Sequence, residues 1–299
     1  MISNLNPSAE AFLANMERVQ RSIEQASRQV SSGLRVNSAS DAPDQVSSIL
    51  QLRTDEGRNT QLQANLSLAK SDADAADNAL NSATQLLDRA RALGVQGVNF
   101  TQDADGRKSI AGEVESILEQ MVSISRTAVQ GRYIFSGDDE NTPAYQLDLT
   151  AANGVTQLTT ASATRRLEDP AGGTFPVGKT AAEIFDSSAR SVFDALNSLR
   201  VGLLNNDTNA IDAAAAKIQT ASDQLNLSQG FYGGVLNRIQ DATNFGQSYD
   251  VQLKTELSQK VDADITAAAM TLTQGNTQLQ AAFQMQAKMP RTTLFDFLG

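Results

Sequence analysis

Phe12, Met16, Val19, Ile23, Ala26 and Val30 follow one another at spacings of 4-3-4-3-4. Apolar residues at that alternation fall on one stripe of an α-helix, and such a stripe is stable only when it packs lengthwise against another helix. Asn6 and Pro7 make a suitable start, with Pro7 in the first turn and Glu10 close behind, and Gly33 makes a natural stop.

The same alternation continues along the chain. It passes from Leu62 through Leu66, Ala69, Ala73, Ala76, Leu80, Ala83, Leu87 and Ala90, on a helix expected to begin near Pro43 and Asp44. Gly94 and Gly97 weaken its end, and "NFTQDADGR" reads as a turn. A third helix carries Ile110, Val114, Ile117, Met121, Ile124 and Ala128 and is expected to stop at Gly131. From Thr180 the stripe resumes with Phe185, Ala189, Val192, Leu196, Leu199 and Leu203. After the turn "NND" it runs from Ile211 through Ile218, Leu225, Val235 and Ile239. A last helix carries Leu257, Val261, Ile265, Ala268, Leu272, Leu279 and Ala282 and ends before Pro290.

Between Tyr133 and Gly178 the character changes to Gly, Pro, Thr and Asp, with short β-type runs "YQLDL" and "GVTQLTT" parted by "TAAN". The expected fold is therefore mainly α: a long antiparallel helical bundle with coiled-coil terminal helices and a small β-rich inserted domain of two to four strands. Residues 1–43 form an N-terminal coiled helix that pairs with a C-terminal one at 256–299. Residues 44–132 and 180–255 form the two parts of the bundle, and 133–179 the insertion. Alanine at many core positions favours close helix approach and a slim rod. The inner stripes are accounted for by the chain's own core. The terminal stripes lie at opposite ends of the sequence and can be completed by neighbouring subunits.

Composition removes several function classes. The chain has no cysteine and no histidine, which takes away the commonest nucleophile, general base and zinc ligands. Carboxylate or serine–lysine chemistry is still open. Its formal net charge is −10 with scattered basic residues, against a nucleic-acid partner, whose phosphates must be neutralised. No apolar run approaches the ~20 residues of a membrane helix, so no membrane insertion is expected. The start "MISNLNPSAEAF" lacks a basic region followed by an apolar one, so no cleavable secretory signal is expected.

Three local motifs invite chemistry. Gly173, Gly178, Lys179 and Thr180 fit G-x-x-x-x-G-K-[ST], the phosphate-binding loop. However, "TRRLEDPAG" precedes it where a hydrophobic strand is needed, and Pro176 removes a backbone donor. A strand turning back into a helix explains the match better. "TQDADGRKSIAGE" has calcium-loop character at Asp103, Asp105 and Gly106, but the closing acid is out of register and an interhelical turn fits. The acidic "SGDDEN" reads as a solvated turn rather than a cation site.

"QVSSGLRVNSASDAPDQ", residues 29 to 45, resembles the N-terminal motif of the bacterial flagellin superfamily through Ser31, Ser32, Gly33, Leu34, Arg35, Asn37, Asp41 and Pro43. "YGGVLNRIQ", with Gly234, Asn237 and Arg238, and the C-terminal "MTLTQGNTQLQAAFQMQAKMPRTTLFDFLG" are similar to further segments of it. The superfamily usually has a second acid where this chain has Ala42. The turn "SDAPD", the stretch "GRYIFSGDDENTPAY" and the ending "LFDFLG" resemble its hook–filament junction branch. Filament flagellins tend to carry a "DDAAG"-like turn and to end in "LSLLR".

The resemblance implies a non-enzymatic flagellar building block with no cofactor and no bound metal. Such a subunit is exported unfolded by the flagellar type III apparatus with an export chaperone. It then assembles outside the cell as a ring between a hook-side junction protein and flagellin, its insertion facing outward. Filament flagellin is the nearest alternative, and a nucleotide-binding protein or a coiled-coil secretion or adhesion protein are others. The candidate subunit-assembly residues are Phe12, Met16, Val19, Ile23 and Val30 on the first stripe, and Leu257, Val261, Ile265, Leu272 and Leu279 on the last. Arg35 and Asn37 in the intervening turn join them, with Leu294, Phe295, Phe297 and Leu298, which lie beyond Pro290 and outside every stripe. That apolar tail is expected to serve assembly, or else to cap its own helix. Ordering a residue costs ~1–2 kcal/mol of backbone entropy, so burial that arrives only with neighbours couples folding to assembly.

Overall fold

The computed structural model describes residues 7–169, 172–188 and 190–288. Its helices are α1 (Pro7–Ser32), α2 (Val46–Val98), α3 (Ala104–Ser125), α4 (Ala181–Phe185), α5 (Val192–Leu204), α6 (Thr208–Val261) and α7 (Ile265–Lys288). Six short strands pair antiparallel as three two-stranded sheets: β1 (Ala128–Val129) with β2 (Arg132–Tyr133), β3 (Tyr145–Leu147) with β4 (Val155–Gln157), and β5 (Arg166–Glu168) with β6 (Thr174–Pro176). The fold is mainly α, as the stripes require. It divides into two compact units, one of residues 1–58 with 250–299 and the other of residues 59–249.

In the second unit the predicted stripes form the core. Leu66, Ala73, Leu80, Ala83, Leu87 and Ala90 of α2 are fully buried, as are Val114 and Met121 of α3 and Leu196, Leu199 and Leu203 of α5; Leu118, outside the predicted stripe, is fully buried beside them. The bundle extends through Gly94 and Gly97 without a break. A Cβ at Gly97 would lie 2.5 Å from Leu203 Cδ2, and one at Gly94 would lie 3.5 Å from Leu199 Cδ1. Gly97 lets α5 approach α2, whereas a Cβ at Gly94 would make an ordinary contact. At the end of α2, the buried Arg107 donates to the carbonyls of Gly97 (2.7 Å) and Asn99 (3.4 Å) and to Asn206 Oδ1 (2.5 Å). A cation on orphan C-terminal carbonyls is where the helix dipole favours it.

Three expectations change. The third helix stops at Ser125, and Ala128 belongs to a hairpin. Gln130 and Gly131 have φ of +52° and +79°, the left-handed pair that a two-residue hairpin turn needs. The stripe after Thr180 splits into α4 and α5, because Ser191 caps a new helix by accepting the Asp194 N–H (3.1 Å). Ala189 lies outside the described residues. Finally, α6 runs unbroken to Val261, so Leu257 and Val261 close α6 and do not open the last helix, which starts at Ile265. "TQDADGR" is a turn: Asp103 caps α3 by accepting the Gly106 N–H at 2.8 Å.

The insertion docks through aromatics. Phe135, Tyr145, Phe185, Phe193 and Tyr232 are buried together, with Phe185 5.7 Å edge-on from Phe135 and 6.0 Å from Phe193. Four charges pin its edge to α2. Arg132 reaches Asp72 (3.3 Å) and Glu140 (3.2 Å), and Arg165 reaches Asp72 (2.9 Å) and Glu140. Burial alone raises the Glu140 carboxyl, but the hydrogen bonds and charges of Arg165 and Arg132 hold it below its usual value. Its contribution is therefore present at neutral pH and fades as pH falls through the acid range. The acid of "SGDDEN" in this network is thus committed to two guanidinium groups.

Candidate functional site

The phosphate-loop match is built for another purpose. Thr174 to Pro176 form β6, and the Val177 N–H that follows donates to Arg165 O (3.1 Å). The Lys179 N–H donates to Tyr232 Oη (3.1 Å), and the Ala181 N–H donates to Phe135 O. Burial pushes the Tyr232 phenol up to about 12, so it stays a neutral acceptor. Thr180 is the N-cap of α4 in a capping box with Glu183, accepting its N–H at 3.3 Å. The Lys179 ammonium lies 5.0 Å over the Phe231 ring. The Val177 and Lys179 N–H groups, which a phosphate would need, are thus used within the protein. Lys179→Ala is expected to leave the fold and the assembly of the chain intact. Magnesium-dependent ATP binding at micromolar affinity, lost in that variant, would refute this.

The candidate assembly residues gather in the first unit. Here α1 and α7 pack along their lengths and are rooted at one point. Leu34 and Asp262 form an antiparallel bridge. The Arg35 N–H donates to Val261 O (2.7 Å), the Ala263 N–H donates to Gly33 O (2.9 Å), and Arg35 Nη2 donates to Lys260 O (2.5 Å). Gly33, at φ +71°, turns the chain out of α1. Val36, Ala42, Ile49 and Val261 make a small buried cluster with Leu34 and Leu257 against it.

The turn after Arg35 is held by one carboxylate. Asp41 accepts the N–H groups of Ser38 (2.7 Å) and Asn37 (2.9 Å), which hold its carboxyl below the usual range. Asn37 Nδ2 donates back to Leu34 O (3.1 Å). Ala42 faces the apolar cluster at 5% exposure, and this is the physical reason a second acid is unsuited there.

Along the α1–α7 pair, Phe12, Met16, Val19, Ile23, Leu272 and Leu279 are half-buried, and Ala26, Ala268 and Gly275 are buried. Val30 and Ile265 are exposed, Ile265 at 52%. Leu13 of α1 and Met270, Phe283 and Met285 of α7 are also open. Leu294, Phe295, Phe297 and Leu298 lie outside the described residues. The tightest contact falls on a residue outside the candidate set: a Cβ at Gly275 would lie 2.5 Å from Ile23 Cγ1. The signal was present, since Gly275 occupies the stripe position between Leu272 and Leu279. Among the described residues no group of three or more His, Cys, Asp or Glu is placed to hold a metal ion, and no helix is long and apolar enough to cross a membrane.

Two helices from opposite ends of the chain, paired and rooted by backbone hydrogen bonds at Leu34 and Asp262, carry spare apolar surface of the kind a structural subunit uses. The family models agree: the bacterial flagellin N-terminal helical region matches residues 2–140, and the flagellin C-terminal helical region matches residues 209–298. The chain belongs to the bacterial flagellin superfamily. It is 24% identical to flagellar hook-associated protein 3 of Escherichia coli (strain K12), over 89% of this chain and 90% of that protein. Polar flagellin E of Vibrio parahaemolyticus is 32% identical, but over 45% of this chain and 37% of its own length. The fold is similar to that of flagellar hook-associated protein-3 from Legionella pneumophila, with a TM-score of 0.63 at 14% identity, covering 71% of this chain and 98% of that one.

Proposed function

We propose that this chain is a structural subunit of the bacterial flagellum at the hook–filament junction, joining a hook-side junction protein to flagellin. The observation that carries the reading is similarity along nearly the whole length of a hook-associated protein, insertion included, whereas the flagellin match covers less than half of this chain. The open apolar side chains of α1 and α7 supply a physical mode of joining. Leu13, Met270 and Phe283, each more than half exposed, gain ~1.5–3 kcal/mol per side chain when a neighbour buries them. The subunit is not an enzyme, forms a ring of identical copies, and is exported through the flagellar type III apparatus with a chaperone to an extracellular site.

Deleting the gene tests this. Hooks are expected to persist while flagellin escapes into the medium, and the full chain supplied in trans restores filaments. Normal filaments in the deletion strain would overturn the reading. Thousands of copies along the filament, instead of a few at its base, would identify a filament flagellin.

A further inference from the structure

We propose that the groove at the start of α2 receives residues 294–298 of a second copy of this chain, with Phe295 in the groove and Asp296 beside Arg53. The inference rests on the subunit reading above and gives that reading a specific contact. The groove, of about 120 Å³, lies between the turn at Val36 and Asn37 and the α2 residues Val46, Ile49, Leu50 and Arg53. Val36 and Ile49 are its buried apolar lining, whereas Leu50 is 57% exposed. Arg53 is exposed and has no acidic partner among the described residues. Asp41, the acid of the same turn, is committed to the Asn37 and Ser38 N–H groups.

Charge and reach select the occupant. Residues 294–298 read Leu-Phe-Asp-Phe-Leu, an acid set between two aromatics. The aromatic matches an apolar groove and the acid matches the unanswered Arg53 at its rim. The second constraint is length. α7 starts beside the groove, where the Val36 N–H donates to Val261 O (3.3 Å) and the Ala263 N–H to Gly33 O. Its 24 residues then carry the chain ~36 Å away. Phe295 is seven residues past Lys288, and seven fully extended residues span at most ~25 Å. Phe295 therefore falls short of its own groove and is placed to meet that of a neighbour. Such a contact joins two different surfaces of identical copies, and a heterologous contact of this kind propagates into a ring or a filament.

The chain has no cysteine, so engineered thiols report without background. Full-length Leu50→Cys and Phe295→Cys chains, mixed at assembling concentration and oxidised, are expected to form a mixed disulfide, which requires Cα atoms within ~7 Å. A chain carrying both substitutions is expected to give covalent multimers. Adding Arg53→Glu to the Leu50→Cys chain lowers the mixed-disulfide yield about tenfold, and Asp296→Lys on the partner chain restores it. An internal loop in the dilute double variant would overturn the proposal, as would a yield that charge exchange fails to restore. So would absence of the mixed disulfide where Leu13→Cys chains still cross-link between copies; that result leaves the subunit reading standing. The subunit reading fails separately, if the deletion strain keeps its filaments.

Discussion

Gly275→Val is expected to abolish filament growth while leaving the melting of residues 59–249 unchanged. The β-carbon alone would approach Ile23 Cγ1 to 2.5 Å, and Ile23 is β-branched and stiff at χ1, so it cannot swing clear. Overpacking of this kind costs ~1–3 kcal/mol, against a helix-propensity gain of a few tenths. Strain therefore wins for valine. For Gly275→Ala the propensity gain rises to ~1 kcal/mol and nearly offsets the smaller clash, so that variant is expected to retain filaments. Most helical stability comes from tertiary packing, and α1 and α7 pack chiefly on each other, so a loss of this size uncouples them. Hydrogen exchange in both helices is expected to rise, and flagellin to appear in the medium. Ile23→Ala in the Gly275→Val background removes the opposing atoms and is expected to restore part of the assembly. Normal filaments from Gly275→Val would show that the close approach is not needed.

How much of this was legible in the sequence depends on the range of each interaction. The 3.5-residue repeat is local, and it located most of the buried stripe of α2 and much of those of α3 and α5, though it passed over Leu118 and Phe193. It failed where a stripe position is not apolar. In α6 the buried row includes Ser228, Tyr232 and Gly246 between Leu225 and Leu253, and a count of aliphatic residues loses the thread there. Gly97 and Gly275 were lost for the related reason that the atom required is the one that is absent. Glycine reads as a breaker, yet at both the facing Leu203 or Ile23 fills the space a side chain would take.

Other features were beyond a local reading. The Arg132–Asp72–Glu140–Arg165 network joins residues up to 93 positions apart, and no spacing rule pairs them. The phosphate-loop match shows the converse. Thr180 and Glu183 carry a capping-box signature, and the lack of a preceding apolar strand was enough to set the nucleotide aside. At the root of the α1–α7 pair, Asp41 and Gly33 could be recognised by motif, while the bridge from Leu34 to Asp262 joins residues 228 positions apart.

Phe185→Ala is expected to do the reverse of Gly275→Val, weakening residues 59–249 and sparing the α1–α7 pair. Phe185 is fully buried and lies between Phe135 of the insertion and Phe193 of α5, and Phe135 in turn stands 6.5 Å edge-on from Tyr232 of α6. Truncating a buried phenylalanine costs ~3–5 kcal/mol, because the transfer term is joined by a cavity that rigid neighbours cannot close. In a domain of this size each kcal/mol moves the midpoint by ~2–4 °C, so a fall of about 10 °C is expected. The insertion is expected to loosen first. Its strands are three residues long or shorter and are held largely by this ring cluster and the four-charge network. Phe185→Leu, which refills much of the volume, is expected to recover more than half of the loss. Because the two substitutions share no packing partner, Phe185→Ala and Gly275→Val are expected to add within ~0.5 kcal/mol in the double variant. A Phe185→Ala chain that melts like the parent would refute the ring cluster as the anchor of the insertion. Strong non-additivity would instead show that the two units do not melt separately.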